Sequence, residues 1–190
     1  MNTFTTLLHR TLLGYKRQGN RSKALLWTIL GVLILLALPV AIRKQQIDTL
    51  KQSRMYFLPP TTDIIPGEVF PVEVRIQTNG TPVNAVSAHV QFKSQFLEVV
   101  NMTTEKSFCT FYLDNSFDNI KGEVNVSCGI PNPGFLGDTV VVRMNMRAKA
   151  VGSTTVTLDP ERSQVLANDG KGTNIAQELP DLPLTVKPIL

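Results

Sequence analysis

Nineteen consecutive residues, Ala24 to Ile42, carry no charge, and only Thr28 and Pro39 depart from plainly apolar character. A helix rising about 1.5 Å per residue covers roughly 28 Å over such a run, close to the roughly 30 Å hydrocarbon core of a bilayer. The stretch is therefore expected to be a transmembrane helix. Pro39 falls in its last turn, where a lost backbone donor costs least, and Trp27 lies near the other end, at interfacial depth. A cleaved signal peptide fits poorly: twenty-three residues precede the run, and it ends in Pro39-Val40-Ala41-Ile42-Arg43-Lys44 without a small-x-small site. A buried soluble helix is seldom apolar on every face for so long.

This span divides the charge. Residues 1–54 hold nine Lys/Arg against one acid, Asp48, whereas residues 55–190 hold ten Lys/Arg against fourteen acids. The basic character thus belongs to the anchor, and the main reason to propose a nucleic-acid partner disappears. Arg10, Lys16, Arg17, Arg21 and Lys23 precede the span, and Arg43, Lys44, Lys51 and Arg54 follow it. Five against four, with the terminal amine, places the N-terminus in the cytoplasm by the positive-inside rule. The expected organisation is a basic cytoplasmic arm (1–23), a single transmembrane helix (24–42), a juxtamembrane stalk (43–54) and one extracytoplasmic domain (55–190). Residues 1–23 also have the composition of an amphipathic helix lying on headgroups, or of a disordered arm.

Beyond residue 54 the hydrophobic period becomes two. Phe70, Val72, Val74 and Ile76 alternate with Pro71, Glu73, Arg75 and Gln77, and Asn79-Gly80 supplies a turn. Val86 to Phe92, Leu97 to Thr103, Glu123 to Gly129, Thr154 to Leu158, Ser163 to Ala167 and Leu182 to Val186 read as further strands. Val140, Val142, Met144, Met146 and Ala148 form the inward side of the longest, with Val141, Arg143, Asn145 and Arg147 outward. Met55 to Leu58 makes a first strand, and Phe108 to Leu113 one that ends in a polar bend, Asp114 to Gly122. About nine short strands with no helical period between them predict an all-β sandwich. Pro180, Pro183 and Pro188 put the last strand at an edge.

Cys109 and Cys128 are the only cysteines. A bend at Asp114–Gly122 sets residue 109 opposite 128, with both thiols on the apolar side of their strands. Two states remain open, a disulfide permitted by an extracytoplasmic compartment and a pair of buried thiols.

Catalytic chemistry finds little support. His9 and His89 lie on opposite sides of the span, and Asp114, Asp118, Asp159, Asp169 and Asp181 sit where turns favour aspartate. No phosphate loop, zinc spacing or cofactor motif occurs, so neither a catalytic site nor a cofactor is expected. Asp169 to Asn174 offers oxygens to calcium but lacks the carboxylate alternation of a dedicated loop, and a glycine-lined turn is the better reading.

Pro66-Gly67-Glu68-Val69-Phe70-Pro71-Val72, Pro82-Val83-Asn84-Ala85, Phe96-Leu97-Glu98-Val99-Val100, Gly122-Glu123-Val124-Asn125-Val126, Ala148 to Val156 and Ser163 to Gly170 together resemble a cohesin domain over about residues 55–187. The resemblance implies a nine-stranded jelly roll, related to some carbohydrate-binding modules, that binds dockerin modules through the face of strands 3, 5, 6 and 8. By order along the chain, that face would carry Ser87, His89 and Gln91, then Thr110 and Tyr112, then Glu123, Asn125 and Ser127. The expected function is a membrane-anchored, non-enzymatic binding module for a dockerin-like protein or a polysaccharide; the alternative is a self-associating envelope subunit. A sugar platform would draw on Tyr56, Tyr112, Phe117 and Phe135.

Overall fold

The computed structural model describes residues 25, 27–36, 52–59 and 64–189, and it divides into two compact units, Met1–Thr49 and Leu50–Leu190. In the first unit residues 25 and 27–36 are helical, with the Thr28 hydroxyl donating back to the Leu25 carbonyl at 2.7 Å. Its large apolar side chains stand 43–72 % exposed within the chain. Among the described residues no helix is long and apolar enough to cross a membrane. The remainder of the Ala24–Ile42 run, the N-terminal arm and most of the stalk lie outside the described residues.

The second unit is a β-sandwich of eleven strands in two sheets. In chain order they are β1 (Ser53–Leu58), β2 (Val69–Gln77), β3 (Val83–Gln91), β4 (Leu97–Thr103), β5 (Phe111–Asp118), β6 (Glu123–Gly129), β7 (Asp138–Ala148), β8 (Gly152–Leu158), β9 (Gln164–Ala167), β10 (Ala176–Glu178) and β11 (Leu182–Val186). One sheet runs β10-β1-β2-β7-β4, and the other runs β11-β8-β3-β6-β5, with β9 also paired to β3. The outer edge of β3 is thus shared, because Val83–Ser87 pairs with β9 and Val90–Gln91 pairs with β8. The apolar halves of the alternating strands meet between the sheets. Met55, Phe70, Val72, Val74, Ile76, Leu97, Met144 and Met146 come from one, and Val86, Ala88, Val90, Val124, Val126 and Val156 from the other, all buried.

The turn after β2 shows why Asn-Gly occurs there: Asn79 and Gly80 both take positive φ, 50° and 92°, which asparagine and glycine adopt at the least cost. The proline-rich last strand is an edge strand, paired only with β8 within its sheet.

Three sequence expectations need correction. Val141, placed outward by strict alternation, is fully buried, because the β2–β7 register shifts beside Val74/Arg75 and a bulge absorbs one residue. The displacement at β5 is larger, three residues. Asp114 to Asp118, read as a bend, is strand, and the connection to β6 is only Asn119–Gly122. The register therefore sets Tyr112, not Cys109, opposite Cys128, with a further bulge between Tyr112 and Asp114. Finally, β1 begins at Ser53, so Ser53 and Arg54 belong to the sheet, not to the stalk.

Cys109 and Cys128 are nevertheless joined by a disulfide, their Cα atoms 5.8 Å apart. Cys109 lies before β5 and reaches Cys128 from that position. The sequence named the right pair through a register that the structure does not have.

Candidate functional site

The outer faces of the two sheets differ in how their polar groups are used. On β10-β1-β2-β7-β4, the buried Glu73 receives Arg143 through a charge-assisted contact and Arg75 at 3.0 Å. Arg75 also donates to Asp138 at 2.7 and 3.0 Å, and the Tyr56 hydroxyl donates to the same carboxylate at 2.7 Å. Arg147 pairs with Glu98 at 2.8 Å, and Asn145 donates to Asn101 at 2.7 Å. This face is knitted to itself. Burial pushes the Glu73 carboxyl up, but Arg143 and Arg75 outweigh it and hold the group below the usual carboxylate range. Burial, reinforced by Asp138, raises the Tyr56 phenol.

The sign of that effect on Glu73 is testable. A carboxylate held low in the folded state adds stability that is complete above its unfolded pKa of about 4.3 and is lost as pH falls through the folded value. Glu73→Gln is expected to cost about 2 kcal/mol at pH 7, the order of a charge-assisted hydrogen bond lost at a buried site. That penalty should shrink in urea titrations at acid pH. A penalty equal at neutral and acid pH would show that the charge is not what matters.

The opposite face, on β8-β3-β6-β5, is built of cross-strand rows. Gln91 lies opposite Glu123, and Glu123 opposite Asp118; His89 opposite Asn125, and Asn125 opposite Ser116; Ser87 opposite Ser127, and Ser127 opposite Asp114. Thr157 extends the first row on β8. The side chains are short or polar, as expected where alternation turns the apolar partners Val86, Ala88, Val90, Val124 and Val126 inward. Neighbouring hydrogen bonds fix several of them. His89 Nδ1 lies 2.7 Å from Asn125 Oδ1, Ser127 donates to Ser87 at 3.0 Å, and Ser116 donates to Asp114 at 2.7 Å.

Apolar side chains rim this polar centre along β5. Leu113, in the bulge, is 83 % exposed, and Ile120, in the turn, 91 %. Phe111 lies across Gly129, where an added Cβ would come within 2.5 Å of the ring. The turn is tied by Asp118, which accepts the N–H groups of Ile120 and Lys121 at 2.8 and 3.1 Å; these hold its carboxyl below the ordinary value. A shallow groove of about 440 Å³ opens at this end between Gln91, Lys93, Lys121, Glu123 and Thr157.

Six of the eight residues expected on the face are therefore brought together: Ser87, His89, Gln91, Glu123, Asn125 and Ser127. Tyr112 is not among them. It pairs with inward-facing Cys128 and packs on the core, a consequence of the shifted β5 register. Thr110 precedes β5, and its N–H donates to the Gly129 carbonyl at 2.9 Å. Their places are taken by Asp114, Ser116 and Asp118, which the sequence hides because a run of Asp, Asn and Ser has the composition of a bend. Thr155 and Thr157 on β8 are absent from the expected set, although their alternation with the buried Thr154, Val156 and Leu158 is a signal that would have found them.

The four aromatic candidates for a sugar platform do not assemble. Tyr56 belongs to the other sheet, Tyr112 faces the core, and Phe135 packs against Phe108 with ring centroids 5.1 Å apart. Phe117 alone is exposed. Among the described residues no cluster of three or more His, Cys, Asp or Glu is placed to hold a metal ion. In the Asp169–Asn174 loop, Asp169 accepts the Thr173 hydroxyl at 2.5 Å and the Lys171 N–H at 2.9 Å, which hold its carboxyl low. Its oxygens serve the turn itself, with Gly170 and Gly172 at positive φ.

No protein-family model matches this sequence, and no curated protein sequence does. Solved structures do. The cohesin of a type I cohesin–dockerin complex from Clostridium thermocellum matches with a TM-score of 0.62 at 11 % identity, over 73 % of this chain and 96 % of that one. The cohesin module of a Clostridium perfringens family 33 glycoside hydrolase matches with 0.58 at 17 %, over 74 % and 99 %. A non-cellulosomal cohesin from the archaeon Archaeoglobus fulgidus matches with 0.56 at 16 %, over 72 % and 91 %. The second unit has the fold of a cohesin module.

Proposed function

We propose that this chain is a dockerin-binding module that docks its partner on the outer face of β8, β3, β6 and β5 and is held at a membrane by Ala24–Ile42. The observation that carries the reading is the pairing of this fold with an open polar face. Several structures of the same fold are cohesin–dockerin complexes, and in this chain the rows Gln91–Glu123–Asp118, His89–Asn125–Ser116 and Ser87–Ser127–Asp114 form a pre-arranged surface rimmed by apolar Leu113 and Ile120. Polar groups of that kind give specificity and the apolar rim gives anchors. No catalytic step belongs to this reading.

The tether is supported by the apolar run itself and by the exposed apolar side chains of its described turns. Hydrocarbon is the solvent such a helix requires. The net negative domain would then lie outside the cytoplasm, where a disulfide persists.

The test is binding of the full chain in nanodiscs to dockerin modules, foremost any encoded in the same genome. Ser87→Arg and Asn125→Arg are each expected to weaken binding by roughly a hundredfold, since each drives a long charged side chain into the centre of the interface. Asn101→Arg, on the opposite sheet, should change it little. Failure to bind any dockerin, or loss of binding through Asn101 instead of Ser87, would reject the proposed face. Proteolysis of intact spheroplasts should remove the β-domain; protection would reverse the orientation.

A further inference from the structure

His89 occupies the middle row of the face, on the strand flanked by both β6 and the β8–β9 pair. Its Nδ1 is 2.7 Å from Asn125 Oδ1. An amide oxygen only accepts, so the neutral ring carries its proton on Nδ1 and leaves Nε2 as an unprotonated acceptor. No hydrogen bond within the described residues engages Nε2.

We infer that His89 is a specificity-determining residue of the docking face, which presents Nε2 as an acceptor to an N–H or O–H donor of the partner at neutral pH and as a charged donor in acid. The inference rests on the proposed docking role of this face. Histidine is the side chain whose charge ordinarily changes between about pH 5 and 8. Protonation of Nε2 therefore sets two donors against each other and adds a positive charge at the centre of the contact, so affinity falls as pH falls.

The surroundings are named from each neighbouring element. On β6 stand Asn125 directly opposite, with Glu123 and Ser127 to either side, and on β3 itself Ser87 and Gln91. On β5, Ser116 continues the row, flanked by Asp114 and Asp118. From the turn between β8 and β9, Asp159 donates its N–H to the His89 carbonyl at 2.8 Å, and Ser163 Oγ accepts the His89 N–H at 3.1 Å, with Glu161 and Arg162 between them. Backbone and Nδ1 are both fixed, which aims the remaining ring nitrogen. Asn125 is the positioning residue, since it selects the tautomer.

Two measurements test this. In full chain labelled with ¹⁵N-histidine, the His89 signals, identified by their loss in His89→Gln, should report the Nδ1–H tautomer at pH 8, and Asn125→Val should shift the population toward Nε2–H. A wild-type Nε2–H tautomer would overturn the inference without any partner. Against a dockerin that binds, wild-type affinity should weaken about tenfold from pH 8 to pH 5.5, while His89→Gln changes less than about twofold. Melting of His89→Gln close to wild type would establish that the fold is intact. A dockerin whose binding is lost in Ser87→Arg but whose pH profile survives His89→Gln would overturn this inference and leave the docking role standing. No binding to any dockerin at any pH would overturn both.

Discussion

Removing the Cys109–Cys128 bridge is expected to lower the stability of the β-domain by about 3 kcal/mol, the chain-entropy value for a loop of this size. The bond spans nineteen residues and encloses all of β5 with the start and most of β6. β5 is an edge strand, and its outward residues Asp114, Ser116 and Asp118 bring it no apolar burial. Its attachment thus rests on its ladder with β6, on its N-terminal half packing through Tyr112, and on the covalent link. Urea unfolding of the full chain with and without reductant, beside Cys109→Ala/Cys128→Ala, measures the cost. Both routes should shift the transition alike, and backbone exchange should quicken first in β5. A transition indifferent to reductant would show that the hairpin holds by packing alone. Because β5 carries one side of the face, loss of the bridge should also weaken any docking on the proposed face.

The second large effect is Gly122→Ala, expected to cost about 3 kcal/mol, combining a left-handed backbone penalty with forced repacking. Gly122 closes the β5–β6 turn at φ 74°, and its N–H donates to the Asp118 carbonyl at 2.8 Å. Its carbonyl in turn accepts the Phe92 N–H at 2.8 Å, so the turn is stitched to the end of β3. A Cβ there would stand 2.1 Å from the Phe92 carbonyl oxygen, a main-chain atom that cannot swing aside as a side chain would. Chemical denaturation checks the magnitude. Gly67→Ala is the comparison: φ is similarly positive, 84°, but nothing lies within 4 Å of the added atom. The difference between the two substitutions isolates the steric part; equal costs would mean that the chain relaxes around Gly122.

The likeness to cohesin modules of low sequence identity follows from what a sandwich needs. Inward positions require only apolar side chains of about the right size, so sequences diverge widely while strand order and layer spacing persist. The outer face is under no such demand. Under the proposed docking role its composition sets partner choice, and His89 and Asn125 can differ from one face to another without altering the fold.

Much of the architecture was legible from alternation alone. Phe70, Val72, Val74 and Ile76, or Val86, Ala88 and Val90, could satisfy burial on one side only if they were strands, and the structure buries each. Asn79-Gly80 named its turn for the same kind of local reason, whereas the cysteines were set opposite each other by a register that the structure does not have. Tertiary structure decided what no local signal marks. The bulges beside Val74/Arg75 and Tyr112/Asp114 change the phase of a strand, and only the partner across the ladder fixes where the extra residue goes. Asp114, Ser116 and Asp118 are polar because the edge strand's outward side meets water, and a strand polar on that side has the composition of a loop. The sequence by itself marked most of the inward residues and six of the outer face, since alternation of apolar and polar side chains is a local property; the structure alone decided that Val141 turns inward and that Asp114, Ser116 and Asp118 complete the face, since that depends on register between strands distant along the chain.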